Sequence, residues 1–299
     1  MHDWAIIVHG GAKTIDPALH ARNRGGCRAA AAAGATVLRY GGCAVAAVEA
    51  AIRVLEDDDI FNAGFGSVLN ADGEVEMDAA IMDGRDLSVG GVTGVRRIRN
   101  PIAAARMILP ARPVLLAAEG AERFVAGQGM ALCDPAGMIA PGRMASEYAK
   151  AHDTVGCVAI DAQGHVASGT STGGLPGKHP GRIGDSPLPG CGLYADDGVG
   201  GVSLSGDGEM IIRATVAAHI MRALRSQPPC AAAGTGLDEM ARVGGDAGAI
   251  LIDRRGRFGI AHNSDHFAVG LHAARLAEPL GAVHRRELER PELEGLLDG

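Results

Sequence analysis

His152-Asp153-Thr154-Val155-Gly156-Cys157-Val158-Ala159-Ile160 is the turning point of this 299-residue chain. Before it, residues 133–153 carry Asp134-Pro135 and Pro141-Gly142 with little apolar periodicity, which reads as an exposed connector. At Thr154 the pattern changes to a strand. The turn Asp161-Ala162-Gln163-Gly164 follows, and a second strand runs from His165 to Thr170. A hairpin that starts abruptly at a threonine divides the chain near its middle, and Gly156 lets another backbone approach it closely.

Working outward, Ala5-Ile6-Ile7-Val8 is a short buried strand that runs into the turn His9-Gly10-Gly11-Ala12. Helices are expected from about Pro17 to Tyr40, stopped by Gly41-Gly42, and from Ala44 to Leu55. Strands follow at Val75 to Met82 and Val89 to Val95, with Asp83-Gly84 turning between them. Pro101 opens a helix at its first turn, and Pro113 to Val125 offers another. Past the hairpin, the pattern gives a strand at Gly200 to Leu204 and helices at Glu209 to Leu224 and Leu237 to Val243. Three strands end the series at Gly248 to Ile252, Arg257 to Ala261 and Phe267 to Leu271, and the charged tail after Pro279 reads as peripheral. No strict βαβ alternation appears, so helices outside two stacked sheets fit better than a doubly wound parallel sheet.

Composition narrows the function. Apolar residues make up 47% of the chain and charged residues 21%, which suits a globular protein with a large core. Aromatics are only 3%, so that core must be built from small and β-branched side chains in closely packed layers. A net charge of -7 argues against a nucleic-acid partner. No run approaches the ~20 apolar residues of a membrane span. Met1-His2-Asp3-Trp4 lacks the basic start of a signal peptide, so a cytoplasmic location is expected. Cys27, Cys43, Cys133, Cys157, Cys191 and Cys230 have no paired spacing and read as reduced thiols filling the core.

Two glycine-rich stretches resemble nucleotide loops and fail. Thr172 stands where the first glycine of a phosphate loop belongs, and His179 replaces the Ser/Thr required after Lys178. Gly198-Val199-Gly200-Gly201-Val202-Ser203 misses the last glycine of a dinucleotide fingerprint. Nucleophile elbows and zincin helices are also missing.

What remains is a series of polar motifs in order: His9-Gly10-Gly11-Ala12, Phe61-Asn62-Ala63-Gly64-Phe65-Gly66, Met77-Asp78-Ala79-Ala80-Ile81-Met82-Asp83-Gly84, Arg99-Asn100-Pro101, His152-Asp153-Thr154-Val155-Gly156 and Gly181-Arg182-Ile183-Gly184-Asp185-Ser186-Pro187. In these motifs the chain resembles the plant-type asparaginase/isoaspartyl peptidase family, a relative of glycosylasparaginase, over nearly its whole length. The resemblance implies an α+β fold, a four-layer αββα sandwich of the N-terminal-nucleophile hydrolase type, as one domain over 1–299. It implies a precursor that cuts itself between Asp153 and Thr154 into residues 1–153 and 154–299, and a homodimer of cut protomers. Its substrates would be asparagine or β-aspartyl dipeptides.

The chemistry of such a cut follows from one residue. An internal threonine has no strong base beside it, but cleavage exposes an α-amine of pKa ~7.7–8.0 on the same residue. That amine takes the hydroxyl proton and later returns it to the leaving amine. By resemblance Thr172 hydrogen-bonds the nucleophile, while Arg182 clamps the substrate α-carboxylate and Asp185 its α-ammonium. The same resemblance implies that Ser205 and the Gly206 amide would form the oxyanion hole, that Gly208 would lie beside the substrate, and that Asn62 would be a secondary polar group near the nucleophile. No organic cofactor is implied. The segment Leu55 to Phe65 resembles a loop that wraps a sodium ion with the main-chain carbonyls of Leu55, Glu56, Asp58, Phe61, Ala63 and Phe65.

Two departures stand out. Lys13 occupies a position where the family usually has glycine, and Ser205-Gly206-Asp207-Gly208 replaces Thr-Gly-Thr-Gly. The alternatives are a glycosylasparaginase-like hydrolase and an uncut, non-enzymatic amino-acid-binding protein.

Overall fold

The computed structural model describes residues 3–141 and 154–297. Asp153, and the part of the connector from 142 to 153, lie outside the described residues.

Eight strands form the larger sheet: β1 (Ala5–Lys13), β2 (Met77–Asp83), β3 (Ser88–Val95), β4 (Leu115–Ala117), β5 (Val155–Ile160), β6 (Val166–Thr172), β11 (His266–Ala273) and β12 (Leu280–Ala282). Their order is β12-β11-β1-β5-β6-β2-β3-β4. The second sheet has the order β10-β9-β8-β7, built from β7 (Leu193–Asp196), β8 (Gly200–Gly206), β9 (Ala247–Asp253) and β10 (Phe258–His262). Neighbouring strands pair antiparallel except β3 with β4.

Strand β5 shows why the hairpin organises the rest. Every residue from Val155 to Ile160 is buried, so its apolar run is continuous rather than alternating, as in a strand covered on both faces. Successive side chains point to opposite faces. In β1, Ile6 and Val8 join α1 (His20–Arg39), α2 (Ala44–Asp57) and α3 (Pro101–Ile108) in one core that includes Leu38, Ile52 and Ile102. Ile7, between them, belongs to a second core with Val158, Ile160, Ile250, Ile252 and Phe258, between the sheets. A third core packs Val202, Leu204 and Leu251 of the smaller sheet against α6 (Val216–Leu224) and α7 (Pro229–Met240). Each buried Ile or Val contributes about 1.5–3 kcal/mol, so one alternating strand serves two cores at once.

The elements differ from the sequence reading where tertiary contacts override local pattern. The helix expected over Pro113 to Val125 is split into edge strand β4 and helix α4 (Ala118–Gly127), joined at Ala118, whose φ is 47°. Pairing with β3 claims the residues that propensity alone gives to the helix. The single helix expected from Glu209 to Leu224 is α5 (Gly208–Ala214) and α6, broken at Thr215 in the left-handed region. Helix α7 starts at Pro229, eight residues before the expected Leu237, with proline in its first turn. The tail is not peripheral: β12 pairs with β11, and Leu293 and Leu296 are buried in the core between the sheets. Only Cys27 and Cys157 are buried core fillers; Cys43 is exposed and the other three are half-buried, all six as free thiols. Lys13 pairs in register with His266 after a bulge between His9 and Ala12, so the strand absorbs this departure. Among the described residues, no helix is long and apolar enough to cross a membrane.

Candidate active site

Thr154 immediately precedes β5, nearly buried, and its Oγ1 lies 3.0 Å from Ser186 Oγ. Two residues on, Gly156 is paired with His9 on one side and Thr170 on the other. A Cβ at Gly156 would strike both His9 Nε2 and Ser203 Oγ, which are hydrogen-bonded to each other at 2.9 Å across the two sheets. Glycine is needed there to let the sheets close next to Thr154. Burial lowers the His9 pKa to about 3, against a smaller opposing contribution from the Thr154 backbone, so its ring is neutral.

One narrow cleft of about 10 Å³ is lined by Thr154, Thr172, Gly174, Leu175, Arg182, Asp185, Ser186, Gly206 and Gly208. Larger cavities lie elsewhere, but none collects these groups. The cleft draws on the start of β5, the end of β6, the Gly181–Pro187 segment, and the junction of β8 with α5. Gly208 leaves room for both charged groups: a Cβ there would come 2.8 Å from Asp185 Oδ1 and 3.0 Å from the Arg182 guanidinium, so a side chain would push them aside.

Arg182 and Asp185 are prepared differently. The Arg182 guanidinium is held by Glu209 through a fork, Nε to Oε1 at 2.7 Å and Nη2 to Oε2 at 2.6 Å. Any carboxylate that Arg182 is to grip must compete with Glu209. The pair is half open to solvent on the glutamate side and is worth no more than about 1 kcal/mol. Glu209→Gln is therefore expected to lower KM for a carboxylate ligand by up to about fivefold, read in steady-state kinetics at low salt.

Asp185 Oδ2 has no hydrogen-bond partner among the described residues, and burial pushes the carboxyl up to about 7, against a smaller lowering by Arg182. A carboxyl raised in the folded chain weakens the fold once ionised, so this cost grows as pH climbs from ~4, the unfolded value, through about 7. Asp185→Asn is expected to raise Tm at pH 8 and to leave it unchanged near pH 4. An equal rise at both pH values would contradict that origin.

Other expected residues lie outside the cleft lining. Thr172 does line it, but the hydrogen bond recorded for its Oγ1 comes from Gly174 N at 3.0 Å, and Ser186 is the partner of Thr154. Ser186 belongs to a quoted motif, yet its residue type carries no signal of that role. Asn62 spends its amide on the backbone, donating to Gly174 O at 2.6 Å and accepting from Val68 N at 2.9 Å. It props the loop that lines the cleft. Ser205 is fully buried, and its Oγ accepts from Ala12 N at 3.2 Å, which leaves its own proton to be donated. Lys178, from the rejected phosphate loop, is buried behind Gly174 and donates to Glu76 O at 2.8 Å.

The segment Leu55 to Phe65 curls tightly. A Cβ on Gly64 would meet the Glu56 carbonyl at 2.5 Å, and one on Gly66 would crowd the Phe61 and Asp59 carbonyls. Two of the carbonyls expected to face a cation already accept backbone hydrogen bonds, Asp58 O from Phe61 N at 3.2 Å and Ala63 O from Gly66 N at 3.1 Å. The Glu56 side chain instead turns inward to Ile102 N and Ser171 Oγ, at 2.9 and 2.7 Å, and burial pushes its carboxyl up to about 8.

The family model described as asparaginase matches residues 2–146 and 136–279. The chain belongs to this asparaginase family. It is 43% identical over 267 residues to an isoaspartyl peptidase/L-asparaginase of Xenopus laevis, covering 84% of this chain and 86% of the relative. A rat protein of the same name is 41% identical over 268 residues, covering 84% of this chain and 80% of the relative. The Bos taurus protein is 41% identical over 280 residues, covering 87% and 90%.

Proposed function

We propose that the chain is a self-processing amidohydrolase that uses Thr154 to hydrolyse L-asparagine and β-aspartyl dipeptides. The observation that carries this reading is the convergence of Thr154, Arg182, Asp185, Gly206 and Gly208, from separate segments, on one cleft. A hydroxyl, a cation and a buried carboxyl lining one cleft suit a zwitterionic amino-acid head group beside a side-chain amide.

Maturation starts when Thr154 Oγ attacks the Asp153 carbonyl. The peptide nitrogen leaves as the Thr154 α-amine, an ester forms, and water releases the 1–153 segment. In the mature enzyme the amine takes the Thr154 hydroxyl proton, with Ser186 Oγ orienting the nucleophile. Attack on the substrate amide puts negative charge on its oxygen, where the Gly206 N–H and the Ser205 hydroxyl donate. Ammonia, or the amine of a dipeptide, leaves with the proton, and water then hydrolyses the acyl-threonine ester. Arg182 turns from Glu209 to the substrate α-carboxylate, and Asp185 Oδ2 takes the α-ammonium. Since Asp185 must be ionised for that contact, kcat/KM is expected to rise as pH passes about 7.

Around this site the two sheets and their flanking helices are read as the four-layer αββα fold of N-terminal-nucleophile hydrolases. The chain is read as one domain that becomes a cytoplasmic homodimer of cut protomers without an organic cofactor. The carbonyls of Leu55, Glu56, Asp58, Phe61, Ala63 and Phe65 would hold a sodium ion that fixes the loop under Asn62. The test is release of ammonia from L-asparagine and of free amino acid from a β-aspartyl dipeptide, with α-blocked versions of each as controls. Binding without turnover would favour the amino-acid-binding alternative.

Ser205→Ala is expected to lower kcat by about 10²-fold with KM within a few-fold. Unchanged kcat on both substrates would reduce Ser205 to the backbone contact it makes with Ala12.

A further inference from the structure

Three histidines meet where the two ends of the chain come together, away from the cleft. His20 is the first residue of α1, His266 opens β11, and His284 follows β12. Their ring centroids are 4.7, 4.9 and 5.0 Å apart, and their planes cross at 62°, 66° and 70°. One nitrogen from each ring lies within 4.8 Å of the other two. Three imidazoles bound to one cation at ~2.0–2.1 Å in a tetrahedral arrangement would put their centroids about 5 Å apart. The three rings thus already stand at nearly the separation that a shared cation imposes.

We propose that His20, His266 and His284 bind a late first-row divalent metal such as zinc, with water in the remaining position, and so clamp the first turn of α1 to the C-terminal strands. Three neutral imidazoles are the donor set such ions prefer. The hydrogen bonds around the rings support the reading. His20 Nε2 donates to Ile15 O at 3.0 Å, which leaves Nδ1 bare and supplies the outer hydrogen bond that metal-bound histidines make. If the His284 ring gives up the hydrogen bond from Glu287 N to bind the metal, that N–H keeps the His284 carbonyl as a partner at 3.0 Å.

His266 makes the exchange visible. Its Nδ1 now accepts from Ile15 N at 3.1 Å. If the metal takes Nδ1, that acceptor is lost directly. If the metal takes Nε2, the proton there moves to Nδ1, which then cannot accept. In both cases the Ile15 amide must change partner. Ile15 lies three residues beyond Ala12, whose N–H donates to Ser205 Oγ, so the clamp ties down the chain just beyond β1.

The experiment uses the untagged full chain, stripped with a chelator and titrated with Zn²⁺ and then Co²⁺. One equivalent should bind per chain at micromolar concentrations, with the visible Co²⁺ spectrum of a four-coordinate nitrogen site, a displaced Ile15 amide resonance, and a higher Tm. His20→Gln and His284→Gln should each weaken binding on the order of 10²-fold and lose the Tm rise, while melting like the parent in chelator. If either variant misfolds, the Co²⁺ spectrum and the Ile15 resonance of the parent decide alone. Substoichiometric binding, an unmoved Ile15 amide, or full affinity in both variants, as for an ion on Cys43 or another thiol, would overturn the site.

Discussion

Thr154→Ala is expected to yield a chain that folds, stays in one piece and hydrolyses neither substrate. The substitution removes one hydroxyl whose recorded contact is Ser186 Oγ, a bond worth about 1 kcal/mol, so the fold survives. On the proposed mechanism, both maturation and turnover lose their nucleophile. The expected fall is on the order of 10⁶ in kcat, the size seen when a hydrolase loses its attacking group. Thr154→Ser keeps the hydroxyl and the amine, and should cut and turn over at a reduced rate. Ammonia release by an uncut Thr154→Ala protein would remove Thr154 from the mechanism.

The second large effect belongs to Arg182→Ala. Removing one partner of a hydrogen-bonded charge pair costs about 2–5 kcal/mol, which at the upper end is a loss of more than 10³ in kcat/KM. Glu209 makes the expected loss specific. In the parent it holds the guanidinium, which the proposed clamp would turn to the substrate carboxylate; in Arg182→Ala the same glutamate would face that carboxylate and add repulsion. Arg182→Lys restores charge but not the planar fork, and should recover only part of the loss. Self-cleavage should proceed in both variants, because the Asp153–Thr154 bond presents no free head group. Steady-state kinetics alongside a denaturing gel separates the two functions, and equal kcat/KM for parent and Arg182→Ala would contradict the clamp.

The sequence was most informative where residues are buried on both sides. The hairpin at Thr154 could be read because β5 is apolar at every position and because Asp161 and Gly164 mark its turn: Asp161 Oδ1 accepts from Gln163 N and His165 N. The motif around Arg182 and Asp185 did fall in the cleft with Thr154. Three features were hidden because contacts distant in sequence create them. The Arg182–Glu209 pair spans 27 residues, and nothing local marks Glu209 as a competitor. Ser186 meets Thr154 only after the loop folds over β5. Leu293 and Leu296 sit in a charged tail whose composition suggests solvent, yet Phe258 N donates to Leu296 O at 2.6 Å and draws the segment into the core. Ser205 shows a subtler limit: residue type marks a donor, but its register in β8 sets which neighbours it meets.

The most direct test of the central claim is the intact mass and N-terminal sequence of the parent protein, incubated after purification without protease. Self-cleavage predicts that the 30.4 kDa chain disappears with time as two fragments grow, covering residues 1–153 and 154–299, the second beginning at Thr154. Ammonia release from asparagine should rise in step with them. A full-length chain that hydrolyses asparagine at a constant rate while uncut, or a fragment beginning at any residue other than Thr154, would contradict the account.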